Sequence, residues 1–269
     1  MQSIINAIIS FSNWLWGIPM LVILVGGSIF ITIRLGFVQF RYFPFAMQQT
    51  FGNIFKKSEG EGTISAFQAA TTALASCIGA ANIVGVPVAI AFGGPGAVFW
   101  MWVIAFIGAG AKFSEIVLAI HYREKNLEGE YVGGPMYYLS KGIKGPLGKA
   151  FGLLFSFFLM IEIAPSISAQ TVSVVQSAST INIPNWIVGI VLALIVGIIT
   201  YGGIKRIGQV AEKLVPFMSI LYVIGAIAII ITNIKELPSA IASIFKYAFT
   251  PAAAVGGFAG ATITQAIRW

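Results

Sequence analysis

The sequence has 269 residues, of which 58% are hydrophobic and only 9% charged, with a formal net charge of +7. Soluble domains carry roughly 25% charged residues, so this chain, with a mean hydropathy of +0.91, lacks the polar surface that water requires. Its basic residues are scattered between apolar runs rather than gathered in a patch, which speaks against nucleic acid as a partner; the single cysteine, Cys77, excludes an internal disulfide and any multi-cysteine metal site.

A bilayer core takes about 20 apolar residues per spanning helix, and only helices or closed barrels satisfy their backbone there. The apolar runs are long and continuous, without the alternation at ten-residue spacing of a barrel. The predicted class is therefore all-α integral membrane, with the lipid bilayer as a partner. Met1 to Asn13 contains no Lys or Arg, unlike the start of a cleavable signal peptide, so the first apolar stretch is read as retained. Spans are predicted at Trp14–Ile33, Ser65–Ala91, Ala97–Ile120, Lys149–Gln170, Ile187–Gly203 and Val210–Thr232. A further apolar stretch runs from Pro251 to Trp269. Between the first two spans, Leu35–Phe55 sets Phe37, Phe40, Tyr42, Phe43 and Phe45 beside Arg41, the composition of either an interfacial amphipathic piece or a short packed loop.

Orientation follows from the basic residues of the connections. The loops after spans one, three and five carry Arg34, Arg41, Lys56, Lys57, Arg123, Lys125, Lys141, Lys144, Lys149, Lys205, Arg206 and Lys213. The alternate connections carry only Lys235 and Lys246. The bias predicts an N-terminus outside the cell membrane and a second span that enters from the cytoplasm.

The second span contains Ser76, Cys77, Ile78, Gly79, Ala80, Ala81, Asn82, Ile83, Val84, Gly85, Val86 and Pro87. Two readings stand. Small residues favour close helix packing. Alternatively the helix is discontinuous, its bare N–H groups facing an anionic carboxylate and its freed carbonyls a cation. Asn82 favours the break, because a midplane amide without a partner is costly. A similar interruption lies at Gly256, Gly257, Phe258, Ala259, Gly260, Ala261 and Thr262. Five helices separate the two, so they cross in opposite directions, as in inverted-repeat transporters.

The string Gly93-Gly94-Pro95-Gly96-Ala97-Val98-Phe99-Trp100-Met101-Trp102 resembles the signature of the alanine or glycine:cation symporters, the sodium:alanine symporters. Gly79–Asn82, Lys112–Glu115, Gly133–Tyr138, Tyr201–Gly203 and Phe249–Gly260 are similar to that family as well, over essentially the whole chain. The resemblance implies a broken-helix, inverted-repeat transporter fold. Residues 1–62 would be an extra helix plus an interfacial segment, 63–232 the first five-helix repeat, and 251–269 the first helix of an incomplete second repeat. It further implies a substrate carboxylate on the amides around Gly79, Ala80 and Ala81, with Gly256, Gly257 and Phe258 facing it. The coupling ion, Na⁺, would sit beside Cys77, Ile78 and Asn82. The family has Gly where Ala81 stands, and continues past Trp269 with four more helices, so a partial chain is expected.

Among the remaining residues, Glu162 lies mid-span three residues before Pro165: either a proton or cation relay or a structural glutamate. Glu162, Ser166 and Gln170 share one helical face, predicted to point inward, with Gln170 towards the substrate. Lys112 and Glu115 read as a surface ion pair, His121 as interfacial, and Trp100 and Trp102 as belt aromatics. No nucleophile–base pair or phosphate loop is visible, so the chain is read as no enzyme. The expected function is import of alanine or glycine with Na⁺ by alternating access, against three rivals: a channel, a non-transporting scaffold, or an H⁺-coupled transporter.

Overall fold

The computed structural model describes residues 2–51, 64–127, 129–250 and 253. Its helices are α1 (Gln2–Leu15), α2 (Ile18–Leu21), a π-helical turn (Val22–Gly26), α3 (Gly27–Arg34), α4 (Val38–Arg41), α5 (Phe43–Phe51), α6 (Ala66–Cys77), α7 (Ala80–Gly93) and α8 (Ala97–His121). An antiparallel hairpin follows, β1 (Glu124–Lys125) with β2 (Tyr131–Val132). Then come α9 (Pro135–Gly142), α10 (Pro146–Ser179), α11 (Asn185–Tyr201), α12 (Gly203–Thr232) and α13 (Leu237–Tyr247). The second apolar interruption, including Gly256, Gly257 and Phe258, lies outside the described residues.

Four runs are long and apolar enough to cross a membrane: Ile5–Arg34, Ala97–His121, Pro146–Ser179 and Gly203–Thr232; α6 and α7 together pass as a fifth, broken one. The apolar α11 has 17 residues, about 26 Å of helix. Several boundaries differ from expectation because apolarity marks membrane depth, not helix length. Thus α10 begins at Pro146, the favoured first position after Gly145 with its φ of +90°, and runs to Ser179, past the predicted Gln170. Helices α9 and α13 are additions to the predicted elements. Both carry a proline in their first turn, a start signal that their mixed polarity hides.

The chain divides into two compact units, one of Met1–Phe51, Ala81–Glu115 and Ile229–Trp269, the other of Gly52–Ala80 and Ile116–Ala228. Buried apolar residues are small: Ala89, Ala97, Ala211, Ala248 and Ala253, with Val38 and Val215. Large side chains such as Trp186, Ile190, Leu194 and Ile198 on α11, and Phe217, Leu221 and Ile231 on α12, are exposed. That inversion, small residues inside and large ones outside, is how helices pack where lipid is the solvent.

In the first unit, Thr32 is buried and donates to the Ile107 carbonyl (3.1 Å), while Gln39 Nε2 donates to Thr32 Oγ1 (2.9 Å) and to the Phe106 carbonyl (3.2 Å). Gly110 permits this approach of α3 to α8, since a Cβ there would lie 2.5 Å from Thr32 Oγ1. The Gly93–Trp102 string builds the α7–α8 turn, with Gly94 at φ +70°. A Cβ on Gly96 would collide with the Tyr247 carbonyl, and Trp100 Nε1 donates to the Ala248 carbonyl at 2.5 Å. Trp100 is thus a docking residue for the segment after α13 rather than the belt aromatic its position predicted; Trp102 is exposed. Lys112 and Glu115 pair at 3.0 Å, as expected.

In the second unit, α9 lies on the start of α10, where Cβ atoms on Gly148 and Gly152 would strike the Ile143 and Met136 carbonyls. The hairpin is tied down by Arg123 over the Tyr131 ring (4.1 Å), by the Lys141–Glu124 ion pair, and by Lys205 with Glu130 (3.8 Å). Helix α6 starts with a full capping box: Gln68 N–H donates to Ser65 Oγ and Ser65 N–H to Gln68 Oε1, both at 3.1 Å.

Candidate functional site

Helix α6 stops at Cys77, and Ile78 is extended at φ −92°, ψ 97°. The next helix begins at Ala80. The interruption is thus Ile78 and Gly79 only, narrower than the predicted stretch from Ser76 to Pro87. Gly85 and Pro87 lie inside the continuous α7, because the neighbouring turns can absorb a proline in an apolar helix.

In an unbroken helix the Ala80 N–H would reach the Ser76 carbonyl four residues back. Here it turns away and donates to Gln170 Oε1 of α10 at 3.1 Å. The Ser76 carbonyl is released from that bond, and the first N–H of α7 is handed to a side chain from elsewhere in the fold. Gly79 makes the contact possible: a Cβ there would sit 2.8 Å from Gln170 Nε2 and 3.2 Å from Oε1. Three sequence-predicted substrate positions, Gly79, Ala80 and Gln170, therefore meet at one point, although 90 residues separate Ala80 from Gln170.

Of the predicted cation positions, Cys77 immediately precedes the break and Ile78 lies in it. Cys77 closes α6, with Sγ 3.9 Å from Ser76 Oγ, and the Ile78 N–H donates to the Leu74 carbonyl at 2.8 Å. Ala81 and Asn82 belong to the first turn of α7 and to the other unit; Asn82 is not unpaired. Of the polar stripe predicted to point inward on α10, only the Gln170 side chain meets another element, at the break. Glu162, Ser166 and Gln170 are all exposed, and no side-chain hydrogen bond or ion pair engages Glu162 or Ser166 among the described residues. Eight residues separate Glu162 from Gln170, about 12 Å along the axis, so the carboxylate lies two turns away from the break. Sequence reasoning missed Gln68 and Glu212, joined at 2.9 Å; the S-x-x-Q box at Ser65–Gln68 was the available signal.

A helix broken in an apolar span, with a backbone amide turned to a polar side chain, defines a multi-pass membrane protein of the transporter class. Comparison with known proteins gives the particular family: the chain belongs to the sodium:alanine symporter family, whose profile matches residues 1–269. It is 49% identical over 96% of its length to the uncharacterized transporter YflA of Bacillus subtilis, covering 54% of that protein. It is 43% identical to the sodium/alanine symporter AgcS of Methanococcus maripaludis, over 99% of this chain and 58% of AgcS. With the putative sodium/proton-dependent alanine carrier protein YrbD of Bacillus subtilis it shares 40% identity, over 94% of this chain and 51% of YrbD. The chain spans about half the length of these relatives. Its family is one of symporters, not enzymes.

Proposed function

We propose that this chain supplies the first five-helix repeat, and the opening of an inverted second one, of a symporter that imports alanine or glycine with Na⁺ by alternating access. Its N-terminus is outside the plasma membrane, and α6 enters from the cytoplasm. The reading is carried by the bond between the Ala80 N–H and Gln170 Oε1. A helix N-terminus is a ready anion site, and a charged acceptor bonds about twice as strongly as a neutral one. A substrate carboxylate can therefore take the Ala80 amide from the Gln170 amide oxygen, freeing Gln170 to meet the substrate. The Cys77 and Ile78 carbonyls are the groups that would hold a cation to balance that carboxylate. The tight fit of Gly79 against Gln170 favours a small side chain.

The names of AgcS and YrbD support alanine as substrate and leave two coupling ions in play, Na⁺ and H⁺. For the proton, the mid-helix Glu162 is the relay position. The test is uptake of labelled alanine by the full-length protein in liposomes under separately imposed Na⁺ and H⁺ gradients. Accumulation driven by inward Na⁺ is expected. Uptake that follows only the proton gradient removes Na⁺ from the mechanism, and linear, non-saturating flux makes the protein a channel.

A further inference from the structure

We propose that Gln68 and Glu212 are positioning residues that latch the cytoplasmic end of α6 onto α12, and that release of this latch opens the inward path to the broken helix. The cytoplasmic assignment rests on the function and orientation proposed above.

Gln68 uses both ends of its amide. Its Oε1 accepts the Ser65 N–H and so fixes the first turn of α6, while its Nε2 donates to Glu212 Oε2 at 2.9 Å. The side chain cannot swing without losing one bond or the other. The two helices are shaped for the contact. On α12 the buried residues Gly208, Ala211 and Val215 form one stripe, and Glu212 lies on it. On the facing side, Ile64, Gln68 and Thr72 recur at four-residue spacing, and a Cβ on Gly208 would meet their side chains at 3.6, 3.6 and 3.9 Å. A methyl group could thus be added at Gly208 without a clash, so the surfaces do not interlock there, and the polar bond is what fixes them.

At its far end α6 is uncoupled from α7 by the Ile78–Gly79 break. A half-helix that is broken from its neighbour at one end and held by a side-chain bond at the other is a hinged element. When the bond is made, α6 stays on α12. When it breaks, α6 is free to tilt off α12. Gln68 and Glu212 touch neither substrate nor ion; they act through the position of α6.

Exchange of the two residues tests this. Gln68→Glu keeps an acceptor for the Ser65 N–H, since Glu serves the capping box as well as Gln, but sets two carboxylates face to face. The double variant Gln68→Glu/Glu212→Gln restores an amide against a carboxylate with the partners reversed. The readout is the rate at which a membrane-impermeant maleimide, applied from the cytoplasmic side of vesicles, labels the exposed Cys77 in a full-length protein whose other cysteines, where present, are replaced by serine. Labelling is expected to rise about tenfold or more in Gln68→Glu, the factor a hydrogen bond to a charged group is worth, and to return towards the native rate in the double variant. The apparent KM for external alanine should rise in Gln68→Glu with little change in the maximal rate, because fewer molecules wait in the outward state. Glu212→Ala gives the same labelling increase without touching the cap of α6. Native labelling rates in Gln68→Glu, or a double variant labelled as fast as the single one, overturn the latch. Alanine uptake absent from the native protein, beside intact swap behaviour, overturns the proposed function and leaves the latch standing.

Discussion

Gly79→Ala probes the break with the smallest possible change. The new Cβ would lie 2.8 Å from Gln170 Nε2, 3.2 Å from Oε1 and 3.3 Å from Cδ. Carbon contacts settle at about 3.5–4.0 Å, so the amide must retreat by roughly 0.5–1 Å. Its bond to the Ala80 N–H, already 3.1 Å long, then passes beyond the roughly 3.2 Å limit of a sound N–H···O bond. Gly79 is not among the residues with positive φ, so the substitution adds no backbone strain, and the flexible amide gives way at little steric cost. What is lost is one hydrogen bond, about 0.5–1.5 kcal/mol net, which corresponds to roughly 2- to 13-fold in an equilibrium constant. Two assays read this. Thermal melting of the purified protein should fall by a few degrees. Alanine binding should weaken through the methyl group alone, which invades the space the substrate enters, because the lost bond is one the substrate itself displaces. The decisive measurement is a double-mutant cycle with Gln170→Ala. If Gly79 acts through Gln170, the second substitution costs almost nothing once the first is made. Additive losses would refute the reasoning, and so would native alanine affinity in Gly79→Ala.

Three further changes test the packing of the helices. Thr72 Oγ1 is buried without a hydrogen-bond partner among the described residues, a desolvation cost of about 1–3 kcal/mol. Thr72→Val should therefore raise the melting temperature, and a drop would show that the hydroxyl is bonded. Gly148→Ala places a Cβ against the backbone carbonyls of Ile143 and Leu139, so a loss of about 1–3 kcal/mol is expected. At Gly225 of α12 a Cβ would meet nothing within 4 Å, and Gly225→Ala should gain about 0.5–1 kcal/mol of helix stability. Equal effects of the two glycine substitutions on chemical denaturation would contradict the packing described.

The sequence reveals these features unevenly, for physical reasons. The small-residue run around Gly79 locates the break, because only residues with little side chain allow a backbone to part and be approached closely. Its two-residue width is not legible: Pro87 looks like a breaker, yet a helix in apolar surroundings carries it. Gln170 is found from its helical spacing alone. That spacing does not tell which of Glu162, Ser166 and Gln170 reaches the break, since this depends on where α6 crosses α10. Trp100 looks interfacial because the carbonyl it serves comes from Ala248, 148 residues away. Gln68 and Glu212 escape notice as a pair for the same reason, 144 residues apart: the capping box marks Gln68 as a helix start, but nothing local joins it to Glu212.

The energies fit the task. Helix α6 is 12 residues long, about 18 Å, and two glutamine amides bear on its ends, Gln68 towards α12 at its start and Gln170 at the break beyond its last residue. The surface between is loose at Gly208, where even an added Cβ would meet nothing closer than 3.6 Å, so moving α6 does not tear open a core of large side chains. Each polar anchor is worth about 0.5–3 kcal/mol. Ion and substrate sites that influence each other typically do so by about 1–3 kcal/mol. A ligand that takes over the Ala80 amide therefore commands enough free energy to shift a helix held this lightly, whereas a helix locked by buried aromatic residues would not respond to alanine at all.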